Sequence, residues 1–138
     1  MSLSLGMGLG LTMQRGSSDP LGPEVVLNGG FDTDTIWFKA AGHTISGGEL
    51  NISTGSITVT NQNALVLGKT YRVVFDVTNF VSGEVRVNLG WSGYGTRRSA
   101  NGTYTEDTVC SGNTFIEITT FTSGFVGSVD NVSVREVL

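Results

Sequence analysis

Two sets of side chains in this sequence have types and spacing that could do chemistry: a few carboxylates, and a few aromatic rings in glycine-flanked stretches. Asp32 and Asp34 stand two residues apart, and Asp130 lies near the end of the chain. Carboxylate oxygens together with backbone carbonyls are the ligand set of calcium. Asp32, Asp34 and Asp130 are therefore the best candidates for a metal site, with calcium the metal they suit. Their competing role is to accept backbone N–H groups in Asx turns. Trp91-Ser92-Gly93-Tyr94-Gly95 reads as an exposed loop, the kind of segment that carries binding residues. Trp91 and Tyr94, with Tyr104 further on, are candidates for a sugar-stacking platform. Packing or a subunit contact competes with that role, since aromatics also anchor protein interfaces. So short a list of exposed aromatics predicts that the protein binds no glycan with useful affinity.

The remaining reactive residues are isolated in sequence. His43 is the only histidine, and no cysteine or second histidine stands near it to complete a metal site. Cys110 is the only cysteine. It excludes an intrachain disulfide, and without a basic neighbour to lower its pKa it reads as a small buried side chain. Glu106 and Asp107 are adjacent, so on a strand they face opposite ways and cannot form a glycosidase pair. No phosphate-cradling loop, nucleophile elbow or H-E-x-x-H is present. No enzymatic activity is expected. Eight Lys+Arg against twelve Asp+Glu give a net charge of −4, and Arg97-Arg98 is the only adjacent basic pair. This excludes a phosphate-backbone footprint, and no nucleic-acid partner is expected. No apolar run approaches the roughly twenty residues that span a bilayer, and no membrane partner is expected. The first positive charge is Arg15, so the start lacks the basic region of a signal peptide.

The elements that must position these residues follow from periodicity. Leu3, Leu5, Met7, Leu9, Leu11 and Met13 alternate with small residues, the period of a strand with one apolar face. Residues 1–23 are read as an extended N-terminal arm and joint, and residues 24–138 as the folded domain. The six apolar side chains are the expected subunit-contact surface of that arm. Beyond it the sequence is a series of strands. Glu49-Leu50-Asn51-Ile52-Ser53 and Ser56-Ile57-Thr58-Val59-Thr60 flank Thr54-Gly55, which predicts a hairpin. Tyr71, Val73, Phe75 and Val77 alternate with partners, as do Val85, Val87 and Leu89, and Ser82-Gly83 between the two runs predicts a second hairpin. Residues 103–109, 114–121 and 129–137 complete the series. No window shows helical periodicity, and short strands with frequent turn signals mean an all-β sandwich or barrel.

Three stretches carry a resemblance. Val26-Leu27-Asn28-Gly29-Gly30-Phe31-Asp32, followed by Trp37, resembles the opening strand of jelly-roll carbohydrate-binding modules of the xylan- and laminarin-binding type. Leu67-Gly68-Lys69-Thr70-Tyr71-Arg72-Val73-Val74-Phe75 resembles their central strand, and Gly127-Ser128-Val129-Asp130-Asn131-Val132-Ser133-Val134 their closing one. The resemblance implies a jelly-roll-like β-sandwich. It also implies a calcium joining first strand to last, for which Asp32 and Asp130 lie on the matching stretches; no other cofactor is expected. With its Gly/Leu-rich leader the chain also resembles tailed-phage virion proteins. That implies a capsid cement or decoration subunit, assembled in the host cytoplasm onto the outer surface of a virion. It would bind the major capsid protein as a homo-oligomer, dimer or trimer, and stabilise the shell by binding only its assembled form. The alternative is a carbohydrate-binding module, free or in a tail fibre, that recognises a glycan through exposed aromatics.

Overall fold

The structure, a computed structural model, describes residues 19–138. The arm residues Leu3, Leu5, Met7, Leu9, Leu11 and Met13 lie outside the described residues. Seven strands follow in order: β1 (Leu21–Glu24), β2 (His43–Ser46), β3 (Glu49–Thr54), β4 (Val59–Asn63), β5 (Thr70–Leu89), β6 (Gly102–Val109) and β7 (Phe115–Val137). No helix occurs among the described residues.

Two long strands organise the molecule. β5 and β7 run antiparallel along their whole lengths, from Tyr71 opposite Glu136 to Leu89 opposite Ile116. Alternation buries Tyr71, Val73, Phe75 and Val77 in the first half of β5, and Val85, Val87 and Leu89 in the second. In the first half, β6 pairs with one side of β5, while β3 and then β2 extend the other side of β7. In the second half, β4 pairs with residues 115–119 of β7. Isolated bridges lengthen this second half at both edges, Phe38 with Asn61 and Val85 with Arg98. Apolar side chains of both halves belong to one buried cluster that also holds Phe31, Trp37, Leu50 and Ile52. The single hydrogen-bonded sheet is therefore doubled over on itself, and its halves form the two layers of a jelly-roll-like sandwich.

The crease is written in backbone conformation. Ladder pairing slips between Thr78 and Ser82 and again between Gly83 and Val85. There Asn79, Gly83 and Gly124 adopt φ of 53°, 84° and 75°. A Cβ on Gly83 would stand 2.1 Å from the Gly124 carbonyl oxygen, and one on Gly124 2.2 Å from that of Thr54. Only glycine fits where three backbones meet this closely.

Several local expectations are corrected. Ser82-Gly83 is not a hairpin turn, because β5 runs through it unbroken and Gly83 marks the crease. Thr54-Gly55 is not one either: β3 and β4 do not pair with each other but take separate stretches of β7. The tight hairpin joins β2 to β3 through Gly47-Gly48, both at positive φ, as a two-residue turn requires. Residues 26–32 are not the opening strand. That strand is β1, paired to the end of β7, so a boundary between residues 23 and 24 would fall inside β1. Residues 26–32 instead form a turn against β7, in which the Val132 N–H donates to the Gly29 carbonyl at 2.9 Å. The turn delivers Phe31 and Trp37 to the core, ring centroids 5.3 Å apart.

Candidate functional site

The outward face of the second half-sheet gathers polar and aromatic groups from five chain segments. In β7, Ile116, Ile118 and Thr120 point inward, so Glu117, Thr119 and Phe121 share the other side. Cross-strand partners share a face, and the registers place Phe38, Asn61, Glu117 and Asn88 in one row across the strands. At about 4.8 Å per strand step the row runs roughly 14 Å from Phe38 to Asn88. The next row holds Val59, Thr119 and Arg86. Beyond Arg86 comes Arg97, because the neighbouring residues Val85 and Arg98 are bridged.

Aromatic rings bound this surface. Phe38 at one edge is 79% exposed, since its neighbour Trp37 takes the inward direction and is buried. Tyr94 at the other edge is 60% exposed, and its ring centroid lies 4.2 Å from the Arg86 guanidinium carbon. Phe121 stands between the arginines, 4.9 Å from that of Arg86 and 3.7 Å from that of Arg97. Asn88 accepts the Gly95 N–H at 3.2 Å and so ties the 93–98 segment to the strand edge. Two polar atoms of this surface are buried without a hydrogen-bond partner, Asn61 Oδ1 and Arg86 Nε. Burial raises the pKa of Glu117 above the usual carboxylate range, while hydrogen bonds from the Asn113 and Asn88 side chains oppose that. Burial lowers the pKa of Arg86, and the charge of Arg97 pushes the same way.

The residues singled out from sequence are dispersed by the fold. Tyr94 belongs to the surface. Trp91 is 61% exposed, but it sits on the turn beyond β5 against Gly112, and no ring contact joins it to Tyr94. Tyr104 belongs to neither: it packs on Phe75 with centroids 5.7 Å apart and donates its hydroxyl to the Ala100 carbonyl. Asp32 is exposed and its N–H donates to Asn28 Oδ1. Asp130 Oδ1 accepts the Asn131 N–H at 2.7 Å. Burial raises the Asp130 pKa despite that bond, helped by the charges of Glu49, Asp76 and Asp32. Among the described residues no group of three or more His, Cys, Asp or Glu is placed to hold a metal ion. Cys110 is buried, its thiol donates to the Asn113 carbonyl at 3.2 Å, and burial pushes its pKa up.

His43 lies inside the sandwich. Its Nδ1 is 2.7 Å from the Thr60 hydroxyl and its Nε2 2.7 Å from that of Thr58. Thr120 accepts the Thr58 N–H and donates its hydroxyl to the Ser56 carbonyl. Thr58 then donates to Thr120 at 2.8 Å, accepts Nε2–H, and leaves Nδ1 to accept from Thr60. One chain of donors thus fixes a neutral ring, and burial lowers its pKa from 6.5 to about 4. A shallow depression of about 310 Å³ on the first half-sheet is lined by Asp76, Thr78, Asn79, Asn101 and Thr103, among others. Its polar groups have partners already: Asp76 takes Thr103 and Asn131, Asn79 donates to Glu49, and Asn101 accepts from Phe80.

Sequence reasoning missed Phe38, Asn61, Asn88, Arg86 and Glu117. One signal was present: adjacent Trp37 and Phe38 must face opposite ways on an extended segment, so one of them is outside.

No protein-family model matches the chain, and no curated protein does. Solved structures do. An arabinose-bound GH51 α-L-arabinofuranosidase superposes with a TM-score of 0.60 at 12% identity, over 84% of this chain and 27% of that one. The chain thus spans about a quarter of that enzyme's length. The CBM1 module of BiXyn10A superposes at 0.56 with 17% identity, over 86% of this chain and 97% of the module. A mannan-binding module from Man5C superposes at 0.53 with 15% identity, over 75% and 93%. The chain therefore has the jelly-roll sandwich fold found in carbohydrate-binding modules.

Proposed function

We propose that this chain is a carbohydrate-binding module that captures a glycan lying across β4, β7 and β5 and does not cleave it. The carrying observation is the row from Phe38 through Asn61, Glu117 and Asn88, with exposed rings at its Phe38 and Tyr94 edges. A sugar presents apolar C–H faces and a rim of hydroxyls that each donate and accept. Rings at the edges suit the faces; amides and a carboxylate between them suit the hydroxyls. The unpartnered Asn61 Oδ1 is an acceptor the protein leaves unused, and a buried polar atom without a partner marks a place where a ligand can supply one. Phe38 adds an exposed ring that the loop aromatics alone do not provide. Glu117 is the row's one carboxylate, and nearby Glu84 is paired to Arg97 at 3.3 Å, which supports binding over hydrolysis.

The fold matches favour this reading over the capsid-cement one, which rests on the Gly/Leu-rich leader. A glycan array followed by titration tests it. Phe38→Ala and Tyr94→Ala should each weaken the best hit about tenfold, as loss of a stacked ring costs roughly 1–2 kcal/mol. Trp91→Ala should cost less than either. An array without a reproducible hit, or a hit insensitive to Phe38→Ala and Tyr94→Ala, overturns the reading.

A further inference from the structure

The cationic end of the same surface says what kind of glycan it takes. Arg86 is the one arginine among the described residues that makes neither a hydrogen bond nor an ion pair. Arg72 pairs with Asp19 and Asp107, Arg97 with Glu84, Arg98 with Glu106, and Arg135 donates to the Gly22 carbonyl. A half-buried guanidinium without an anion is costly. The fold adds to the cost by setting Arg97 beside Arg86 across the bridged edge, where like charges repel. The partial compensation comes from rings: Tyr94 and Phe121 flank Arg86, and Phe121 also contacts Arg97. Stacking steadies the guanidinium and satisfies none of its N–H donors. Arg97's own pairing with Glu84, at 3.3 Å between exposed side chains, is weak and readily exchanged.

We infer that the surface selects an anionic saccharide, whose uronic carboxylate or sulfate ester seats against Arg86 and Arg97 while its sugar rings lie along the row toward Phe38. This rests on the glycan-binding reading above. The planar guanidinium fork matches carboxylate and sulfate oxygens in pairs, and rings that hold it in place beforehand reduce the ordering cost of binding. The anion supplies Arg86 with the partner it lacks and relieves its repulsion from Arg97. Asn61 Oδ1 stays without a partner of its own and can serve a sugar hydroxyl, while Asn88 and Glu117 hold each other in the row.

The test uses matched pairs that differ in charge alone. The full chain is titrated with an oligogalacturonate and its methyl ester, and with a sulfated oligosaccharide and its desulfated form. The anionic member of at least one pair should bind about tenfold or more tighter, the worth of one charge-assisted contact. The preference should shrink with added salt. Arg86→Gln should erase it to within about twofold, and Arg97→Gln, at an exposed position that should fold normally, should reduce it. Thermal melts of both variants report whether they fold, and Arg97→Gln carries the test if Arg86→Gln does not. If charged and neutral members bind alike, or the arginine variants keep the preference, the inference falls; if Phe38→Ala still weakens the neutral ligand, the glycan reading stands without it. If neither member of either pair binds and the array is also blank, both fall together.

Discussion

His43 shows how one buried side chain sets a pH limit. The folded protein holds its imidazole neutral between Thr58 and Thr60, with a pKa of about 4 against 6.5 for the unfolded chain. Between those values the unfolded state binds more protons than the folded one, so stability falls as pH drops through 6.5 and levels off below about 4. The full effect is about 3 kcal/mol. Protonation would also turn Nδ1 into a donor facing the Thr60 hydroxyl, which donates to it while the ring is neutral. Asp107 works the same way at lower pH: hydrogen bonding to Arg72 depresses its pKa, so its contribution is lost as pH falls through that depressed value. The histidine part is therefore isolated by difference. Urea unfolding at pH 7 and pH 4 should show a fall in wild type that is smaller by about 2–3 kcal/mol in His43→Gln. An equal fall in both proteins would refute the assignment.

At the scale of strands, the crease rather than any turn defines the architecture. Gly124 combines a φ of 75° with a Thr54 oxygen 2.2 Å from where a Cβ would go, whereas Gly47, at φ 63°, has nothing within 4 Å. Gly124→Ala should thus cost at least about 3 kcal/mol, with backbone displacement. Gly47→Ala should cost only the left-handed penalty of about 1 kcal/mol. Equal melting temperatures for the two variants would mean the crease is soft. This contrast also explains what could be read from sequence. The alternation in β5 was plain, because burial of one face writes a period of two, whereas β7, expected as separate runs at 114–121 and 129–137, is one strand. Gly83 was misread because a glycine between two apolar runs signals a hairpin and a crease alike, and local sequence cannot distinguish strands that reverse from one strand that bends. Tyr94 was legible as a loop aromatic beside glycines. Asn61, Glu117 and Asn88 were not, because they come from β4, β7 and β5 and are aligned only by cross-strand register, which no single segment contains.

For the molecule as a whole, the described chain is tied down from its first residues. Asp19 pairs with Arg72, the Leu138 N–H donates to the Pro20 carbonyl, and Leu21 lies opposite Val137. Removing residues 1–15 should therefore leave the melting temperature within about 2–4 °C, less than 1 kcal/mol for a domain of this size. A larger drop would show that the leader contributes to the core. The route of β7 matters in another way. One end of that strand is zipped between β1 and β5, and the other carries Glu117, Thr119 and Phe121. If a bound polymer is fixed and the chain is tugged at Leu138, tension runs along the covalent backbone of β7. The hydrogen bonds to β5 stand across that direction, so they are sheared together and not peeled apart in turn. The grip should fail before the fold does: in single-molecule pulling against a glycan-coated surface, ligand rupture should precede any lengthening of the domain.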